Sequence, residues 1–274
     1  MLGALIIVFR EVFEAGLIVG IVLAVTRSSP GRGFWVGGGI VAGVAGACLV
    51  AAFAATLSQL FEGMGQEVFN AAILGIAAIM LTWHNVWMAR HGKDLAAEVH
   101  AVGEAVAQGS KPLVALAVVV GVAVMREGSE VALFLYGVVA GDGSTGTSIA
   151  LGGIAGLMLG ALVCLLTYLG LVRIPLRPLF AVTTLLITLV AAGMASQAAA
   201  YLERANWLTA LSDTAWDSRW LLDESSIPGK ALHTLIGYTD QPSGMQLVVY
   251  AATLAATVAL MRISARGVGA APAG

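Results

Sequence analysis

The chain has 274 residues, of which 59% are hydrophobic and only 11% are charged. With a mean hydropathy of +0.91, this is more apolar than a soluble domain needs and predicts an all-α polytopic membrane protein. The formal net charge of −2, without any long run of Lys and Arg, argues against nucleic acid as a partner. Both cysteines fall in apolar stretches, which argues against a disulfide framework.

Seven apolar stretches are long enough to cross about 30 Å of hydrocarbon as helices. We predict transmembrane helices near residues 2–26, 34–60, 67–89, 112–139, 147–171, 176–203 and 245–265. No basic residues precede the first stretch and charges interrupt it, so we interpret it as a retained helix rather than a cleaved signal. Between the third and fourth helices, residues 93–108 have apolar positions at helical spacing. That pattern predicts a short amphipathic helix at the cytoplasmic interface.

The predicted 2–3 and 4–5 connections carry no Lys or Arg, whereas the 1–2, 3–4 and 5–6 connections and the C-terminal end contain such residues. They are Arg27 and Arg32 after the first helix, Arg90, Lys93 and Lys111 after the third, Arg173 and Arg177 near the 5–6 turn, and Arg262 and Arg266 after the seventh. Because positively charged loops favour the cytoplasmic side, the N-terminus is predicted outside and the C-terminus in the cytoplasm. The long connection 204–244 then lies on the outer side.

Two copies of one charged pattern, Arg-Glu-x-x-Glu, interrupt the first and fourth predicted helices. The first motif contains Arg10, Glu11 and Glu14, and the second motif contains Arg126, Glu127 and Glu130. Six unpaired charges at mid-membrane would cost on the order of 15–20 kcal/mol. These charges must therefore pair with one another or with a ligand.

The positions of the two motifs predict an inverted repeat, because each motif lies in the first of three consecutive helices. An odd number of helices makes the second copy enter the membrane from the opposite side. We interpret the whole chain, 1–274, as a single transmembrane permease domain. Its parts are repeat one at about 1–110, repeat two at about 111–203, the outer loop at about 204–244 and a seventh helix at about 245–265.

The chemistry of the double motif points to a transported cation. Glutamates three residues apart on a helix share a face, so each motif offers two carboxylates with a guanidinium group beside them. Two facing motifs bring together four carboxylates and two guanidinium groups, a formal charge of −2. Carboxylate oxygens are hard ligands, and no cysteine can join them at this spacing.

The double motif resembles the high-affinity iron permease family, which includes fungal plasma-membrane permeases and bacterial members of acid-induced iron uptake systems. The stretch 216–229 and the segment His233-Thr-Leu-Ile-Gly-Tyr extend the resemblance over nearly the whole chain. The resemblance implies import of ferric or ferrous iron across the plasma (inner) membrane, with iron as substrate and no permanently bound cofactor. It implies that the four glutamates bind the metal, with the two arginines as charge partners. It further suggests an external oxidase or peroxidase and an iron-delivering protein as partners, besides membrane lipid.

Other polar residues are weaker candidates, each with an ordinary structural alternative. Candidate pathway residues are His84, Glu67, Gln197 and Glu203, and Glu62 and Asp142 could attract cations to the entrance. Candidate residues for metal capture in the outer loop are Asp213, Asp217, Asp223 and Glu224. His84 could instead fill a packing role, and exposed acidic residues are usually only solvated.

Two other functions fit parts of the sequence. The cargo could be another divalent ion such as lead or manganese, because carboxylate ligands do not distinguish these ions from iron by themselves. A remote alternative is an intramembrane metalloprotease. Such an enzyme needs a fixed metal with an open water position. His84 is the only histidine in a predicted transmembrane helix, and no glutamate pairs with it on that helix. The sequence does not fix the oligomeric state.

Overall fold

The computed structural model describes residues 1–60, 66–142, 146–170 and 176–267, and within these ranges it contains helices and no strand. The helices are α1 (Leu2–Val25), α2 (Arg32–Leu60), α3 (Gln66–Ala107), α4 (Val114–Asp142), α5 (Gly146–Tyr168), α6 (Leu176–Arg204), α7 (Ile227–Ile236) and α8 (Gly244–Gly267). The prediction of an all-α chain is confirmed.

Several of these helices are suited to a membrane. Segments of α2, α3, α5, α6 and α8 are long and apolar enough to cross one. Helices α1 and α4 have a similar length, but each carries the three charges of its motif. Large apolar side chains such as Phe34, Leu49 and Ile79 are mostly exposed on the outside of the bundle. A surface of this kind is stable in lipid and not in water, so the chain is a multi-pass membrane protein.

Helix α3 differs from its prediction. It runs without a break for 42 residues, about 63 Å of helix, whereas we predicted a span at 67–89 and a separate interfacial helix at 93–108. That division is wrong, because the stretch holds no proline and is rich in good helix formers. Its apolar face is real, but Val99 and Val106 are buried against α1, α2 and α4 and do not lie on lipid.

The outer connection 204–244 contains the short helix α7, which the sequence analysis did not identify. Ser226 caps its N-terminus, where the Ser226 hydroxyl accepts a hydrogen bond from the Gly229 N–H at 3.0 Å. Pro228 stands in the first turn, and Gly237 ends the helix in the left-handed conformation with φ of 70°. These are ordinary start and stop signals, so this helix was readable from the sequence.

Two glycine-lined contacts organise the bundle, one between α1 and α5 and one between α2 and α4. A Cβ atom at Gly39 of α2 would lie 2.6 Å from the Ala117 carbonyl oxygen of α4. A Cβ atom at Gly156 of α5 would lie 2.5 Å from the Leu5 carbonyl oxygen of α1. The helix backbones therefore touch at these positions, as is typical of closely packed membrane helices.

The remaining interior lies where α1, α3, α4 and α6 meet. Fully buried apolar side chains from all four helices form one cluster there, including Ile7, Leu81, Phe134 and Ile187. The motif residues lie next to this cluster, because Phe134 is one turn beyond Glu130 on α4. The packing of α1, α3 and α4 fixes the relative positions of the charged groups described next.

Candidate metal-binding site

Each motif first closes an ion pair within its own helix. The Arg10 Nε atom lies 2.8 Å from Oε1 of Glu14. In the second motif, Arg126 Nε donates a hydrogen bond to Oε1 of Glu130 at 3.2 Å. Both pairs have the i, i+4 spacing that brings side chains together on one helix face. Glu11 and Glu127 lie farther from their arginines, at 3.8 and 3.9 Å.

The packing of α1 against α4 brings the two motifs into one cluster. Ligating atoms of Glu11, His84, Glu127 and Glu130 all lie within 4.8 Å of one another. Glu14 adjoins them, with its Oε2 atom 3.6 Å from His84 Nε2. Within the part of the chain that the structure describes, this is the one group of three or more such residues able to hold a metal ion.

His84 occupies the centre of this cluster and comes from α3, outside both motifs. Its Nε2 atom is 3.8 Å from Glu11 Oε2 and 3.6 Å from Glu14 Oε2, and its Nδ1 atom contacts Glu130 Oε2. The ring also packs edge-on against Phe134. The sequence analysis named His84 only as one pathway candidate. The available signal was a histidine in the middle of an apolar helix, which needs a polar partner.

The cluster is strongly buried and short of positive charge. Glu11 is fully buried, and Arg10, Glu14, Glu127 and His84 are each at most 3% exposed. Both carboxylate oxygens of Glu11, and one of Glu127, have no partner in hydrogen-bond geometry among the described residues. Four carboxylates face two guanidinium groups, and a protonated imidazole would still leave an excess of negative charge. Buried carboxylates in this state are neutralised by protons or by a bound cation, and their oxygens are available as metal ligands.

One side of the cluster is less enclosed than the other. The side chain of Glu130 is 16% exposed and that of Arg126 is 33% exposed. The Arg126 guanidinium lies over the Trp87 ring of α3, 4.0 Å from its centroid. His91, one turn farther along α3, stacks on the same indole ring at 5.0 Å. The open side of the site is therefore bordered by Arg126 and Trp87.

The other candidate pathway residues lie outside the cluster. Glu67 is exposed near the start of α3. Gln197 forms a hydrogen bond with His233 of α7 at 2.6 Å. Glu203 accepts a hydrogen bond from the Ser243 hydroxyl at 2.8 Å, which ties the end of α6 to the start of α8. Glu62 and the side chain of Asp142 lie outside the described residues.

The acidic residues of the outer loop do not converge on one point. Backbone N–H of Arg219 and the side chain of Gln241 donate hydrogen bonds to Asp217 and hold the pKa of its carboxyl below the usual range. Asp213 is exposed, and its backbone carbonyl accepts a hydrogen bond from Gly244 at 3.2 Å. Both residues therefore act in the structure of the loop itself.

Asp223 and Glu224 also make local contacts within the outer loop, at the start of α7 and with His233 of that helix. Hydrogen bonds from Ser225 lower the pKa of the Asp223 carboxyl. Glu224 Oε1 lies 3.2 Å from His233 Nδ1. Together with Asp213 and Asp217, they form no group of three metal ligands within the described ranges.

Comparison with known proteins gives a consistent result along the whole chain. Residues 1–268 match the model of the iron permease FTR1 family. The chain is 32% identical to the ferrous iron permease EfeU of Yersinia pestis over 249 residues, which cover 89% of this chain and 87% of that protein. It is 30% identical to the ferrous iron permease EfeU of Escherichia coli O6:H1 over 250 residues, which cover 89% of each. No solved structure gives a significant match.

Proposed function

The chain belongs to the iron permease FTR1 family, and we propose that it imports iron across the plasma (inner) membrane through the carboxylate cluster of its two motifs. Members of this family are transporters and not enzymes, so the metalloprotease alternative is excluded. Iron is the transported substrate. The metal ligands we propose are Glu11, Glu14, Glu127 and Glu130, with Arg10 and Arg126 as charge partners.

The observation that supports this site is the excess of buried negative charge. Four carboxylates from α1 and α4 meet around His84, and several of their oxygens lack hydrogen-bond partners among the described residues. An iron ion would supply the missing positive charge and take these oxygens as ligands. The two arginines reduce the electrostatic repulsion among the carboxylates when no cargo is bound, because each pairs with one carboxylate of its own motif.

We propose that seven helices, α1 to α6 and α8, cross the membrane. Five of them are apolar enough by themselves. The charges of α1 and α4 face each other in the bundle interior, which removes the objection to placing these two helices in lipid. The distribution of Lys and Arg favours an outer N-terminus and a cytoplasmic C-terminus, although Arg173 lies outside the described residues. Helix α7 would then lie on the outer side.

An inverted repeat of α1–α3 and α4–α6, within a single domain, is supported by the helix pairing. Under this symmetry α1 corresponds to α4 and α2 to α5. The contact between α1 and α5 then corresponds to the contact between α4 and α2, and both are extensive and lined by glycine. The motifs meet near the symmetry axis, where transporters of this design bind their substrate. Movement of one repeat against the other would expose the site alternately to the two sides.

The oxidation state of the cargo and the partners are further parts of the proposal. The relatives from Yersinia pestis and Escherichia coli are named ferrous iron permeases, and we extend ferrous iron to this chain. An external oxidase or peroxidase and an iron-delivering protein are the partners that the family resemblance suggests.

Uptake of radioactive iron tests the proposed site. In cells that lack their own iron importers, the wild-type chain is expected to restore uptake. Glu14→Gln and Glu130→Gln should each reduce it by about 100-fold or more, since each removes a carboxylate of the proposed site. Glu67→Gln is the matched control, because Glu67 is exposed and outside the cluster. Membrane levels of all variants are compared by immunoblot.

Competition in the same assay distinguishes the cargo. An excess of lead or manganese should compete poorly with iron if iron is the physiological substrate. Uptake of iron that survives both glutamine substitutions at normal membrane levels would contradict the proposed site. Stronger transport of manganese or lead than of iron would instead support the alternative cargo.

A further inference from the structure

His84 is the one member of the cluster that supplies nitrogen instead of oxygen, and it belongs to neither motif. It lies on α3 and is 3% exposed, and its ring stands between the carboxylates of α1 and α4. Both ring nitrogens face carboxylate oxygens. A buried histidine in this position either serves as a counter-charge or binds the cargo.

The distances at Nε2 favour a role as a metal ligand. The gaps to Glu11 and Glu14 are 3.8 and 3.6 Å, whereas a charge-assisted N–H···O bond measures about 2.7–2.9 Å. Two ligands of one first-row divalent ion, each about 2.1 Å from the metal, stand about 3–4 Å apart. The space between Nε2 and these two carboxylates therefore has the size of a coordinated ion.

The contact at Nδ1 completes the arrangement. Nδ1 contacts the Glu130 carboxylate, and Glu130 is held in turn by Arg126 at 3.2 Å. Histidines that bind metals through one nitrogen usually donate the other N–H to a carboxylate, which fixes the ring orientation. Glu130 can thus orient His84 from the second motif while Nε2 points toward the glutamates of the first motif.

We propose that His84 binds the transported ion through Nε2 and makes the site select ferrous iron over the hard divalent ions manganese, magnesium and calcium. This inference rests on the proposed function, because it concerns the same site and the same cargo. An imidazole nitrogen binds Fe²⁺ more strongly than Mn²⁺, which still accepts it as a ligand, whereas Mg²⁺ and Ca²⁺ prefer oxygen ligands. A cage of carboxylates alone would lack this preference.

Pulsed electron paramagnetic resonance of Mn²⁺ bound to the purified full-length protein tests the ligand directly. Nitrogen modulation from an imidazole is expected in the wild type and should vanish in His84→Gln while Mn²⁺ remains bound. His91→Gln is the matched control, since His91 lies on the same helix outside the cluster, with its Nδ1 atom 3.2 Å from the Trp87 carbonyl oxygen. This variant should keep the modulation. Bound Mn²⁺ without nitrogen modulation in the wild type, or modulation that persists in His84→Gln, would overturn the inference.

Uptake measurements test the selectivity. His84→Gln should lower Fe²⁺ uptake by about tenfold or more and Mn²⁺ uptake much less, so that the Fe²⁺/Mn²⁺ ratio falls. An equal loss for both ions would assign His84 a structural role and overturn the proposal. Glu14→Gln tests the proposed metal site independently of His84, because it should abolish uptake of both ions. If Glu14→Gln transports normally, the proposed site fails, whatever the result at His84.

Discussion

The two Arg-Glu-x-x-Glu motifs carry the same charges in different surroundings. The first motif is enclosed, and the Arg10 side chain is only 2% exposed. In the second motif the Arg126 side chain is 33% exposed. The two halves of the site are therefore not equivalent.

The residues between the glutamates give a physical reason for this difference. In the first motif Phe13 is fully buried and packs against Phe9 and against Phe180 of α6. The second motif has Gly128 and Ser129 in the corresponding positions, and these small residues fill little space. Phe13 therefore adds buried aromatic contacts beside the first motif that Ser129 does not supply beside the second, whereas Gly128 packs closely against Ala47 of α2.

The largest expected difference between the two motifs is the loss of stability when each arginine is replaced. Arg10→Met removes the partner of a fully buried carboxylate and should destabilise the protein by about 3–5 kcal/mol. Arg126→Met should cost about 1 kcal/mol or less, because this pair is only partly buried. Thermal unfolding in detergent measures the difference. Equal losses of stability would show that the two halves are buried alike.

Removing the Phe13 ring beside the first motif should have the next largest effect on stability. Phe13→Ala leaves a cavity among aromatic rings and should cost about 3 kcal/mol. Ser129→Ala, at the corresponding position of the second motif, removes only the Ser129 hydroxyl bond to the Arg126 carbonyl at 2.8 Å and should cost about 1 kcal/mol. Chemical unfolding compares the two variants. If Phe13→Ala lowers the free energy of unfolding no more than Ser129→Ala, Phe13 does not account for the difference between the two motifs.

The stacking of Arg126 on Trp87 offers a smaller and more local test. Trp87→Leu removes the cation–π contact and should cost about 0.5–2 kcal/mol, while Trp87→Phe retains part of it. If Trp87 positions Arg126 at the open side, the apparent affinity for iron should change in Trp87→Leu more than in Trp87→Phe. Concentration-dependent uptake measures this. Identical behaviour of the two variants would exclude a role for the aromatic ring.

The outer loop should show the smallest effect on transport. Asp217→Asn is expected to change iron uptake by less than about twofold, since surface substitutions of this kind have small effects. The lowered pKa of Asp217 means that its hydrogen bonds stabilise the loop above the usual carboxyl pKa and are lost as pH falls through the lowered value. Limited proteolysis should therefore cut the wild-type loop faster only in strongly acidic solution. A large loss of uptake at neutral pH would show that the loop captures metal.

Some features of the protein were determined by sequence alone, because they follow from the incompatibility of charge with lipid. The apolar composition required helices, and the motif charges in α1 and α4 required partners inside the bundle. The charge excess of the four glutamates was countable without coordinates. The α7 helix was also encoded locally, by Ser226, Pro228 and Gly237, although we did not predict it.

Tertiary structure alone decided how these parts meet. The spacing of apolar residues correctly predicted the apolar face of the second half of α3. Only the three-dimensional structure showed that Val99 and Val106 contact protein and that the helix continues unbroken. The central position of His84 and the unequal enclosure of Arg10 and Arg126 depend on contacts between residues far apart in the chain. A local pattern carries no information about such contacts, since they arise from the simultaneous packing of α1, α3, α4 and α6.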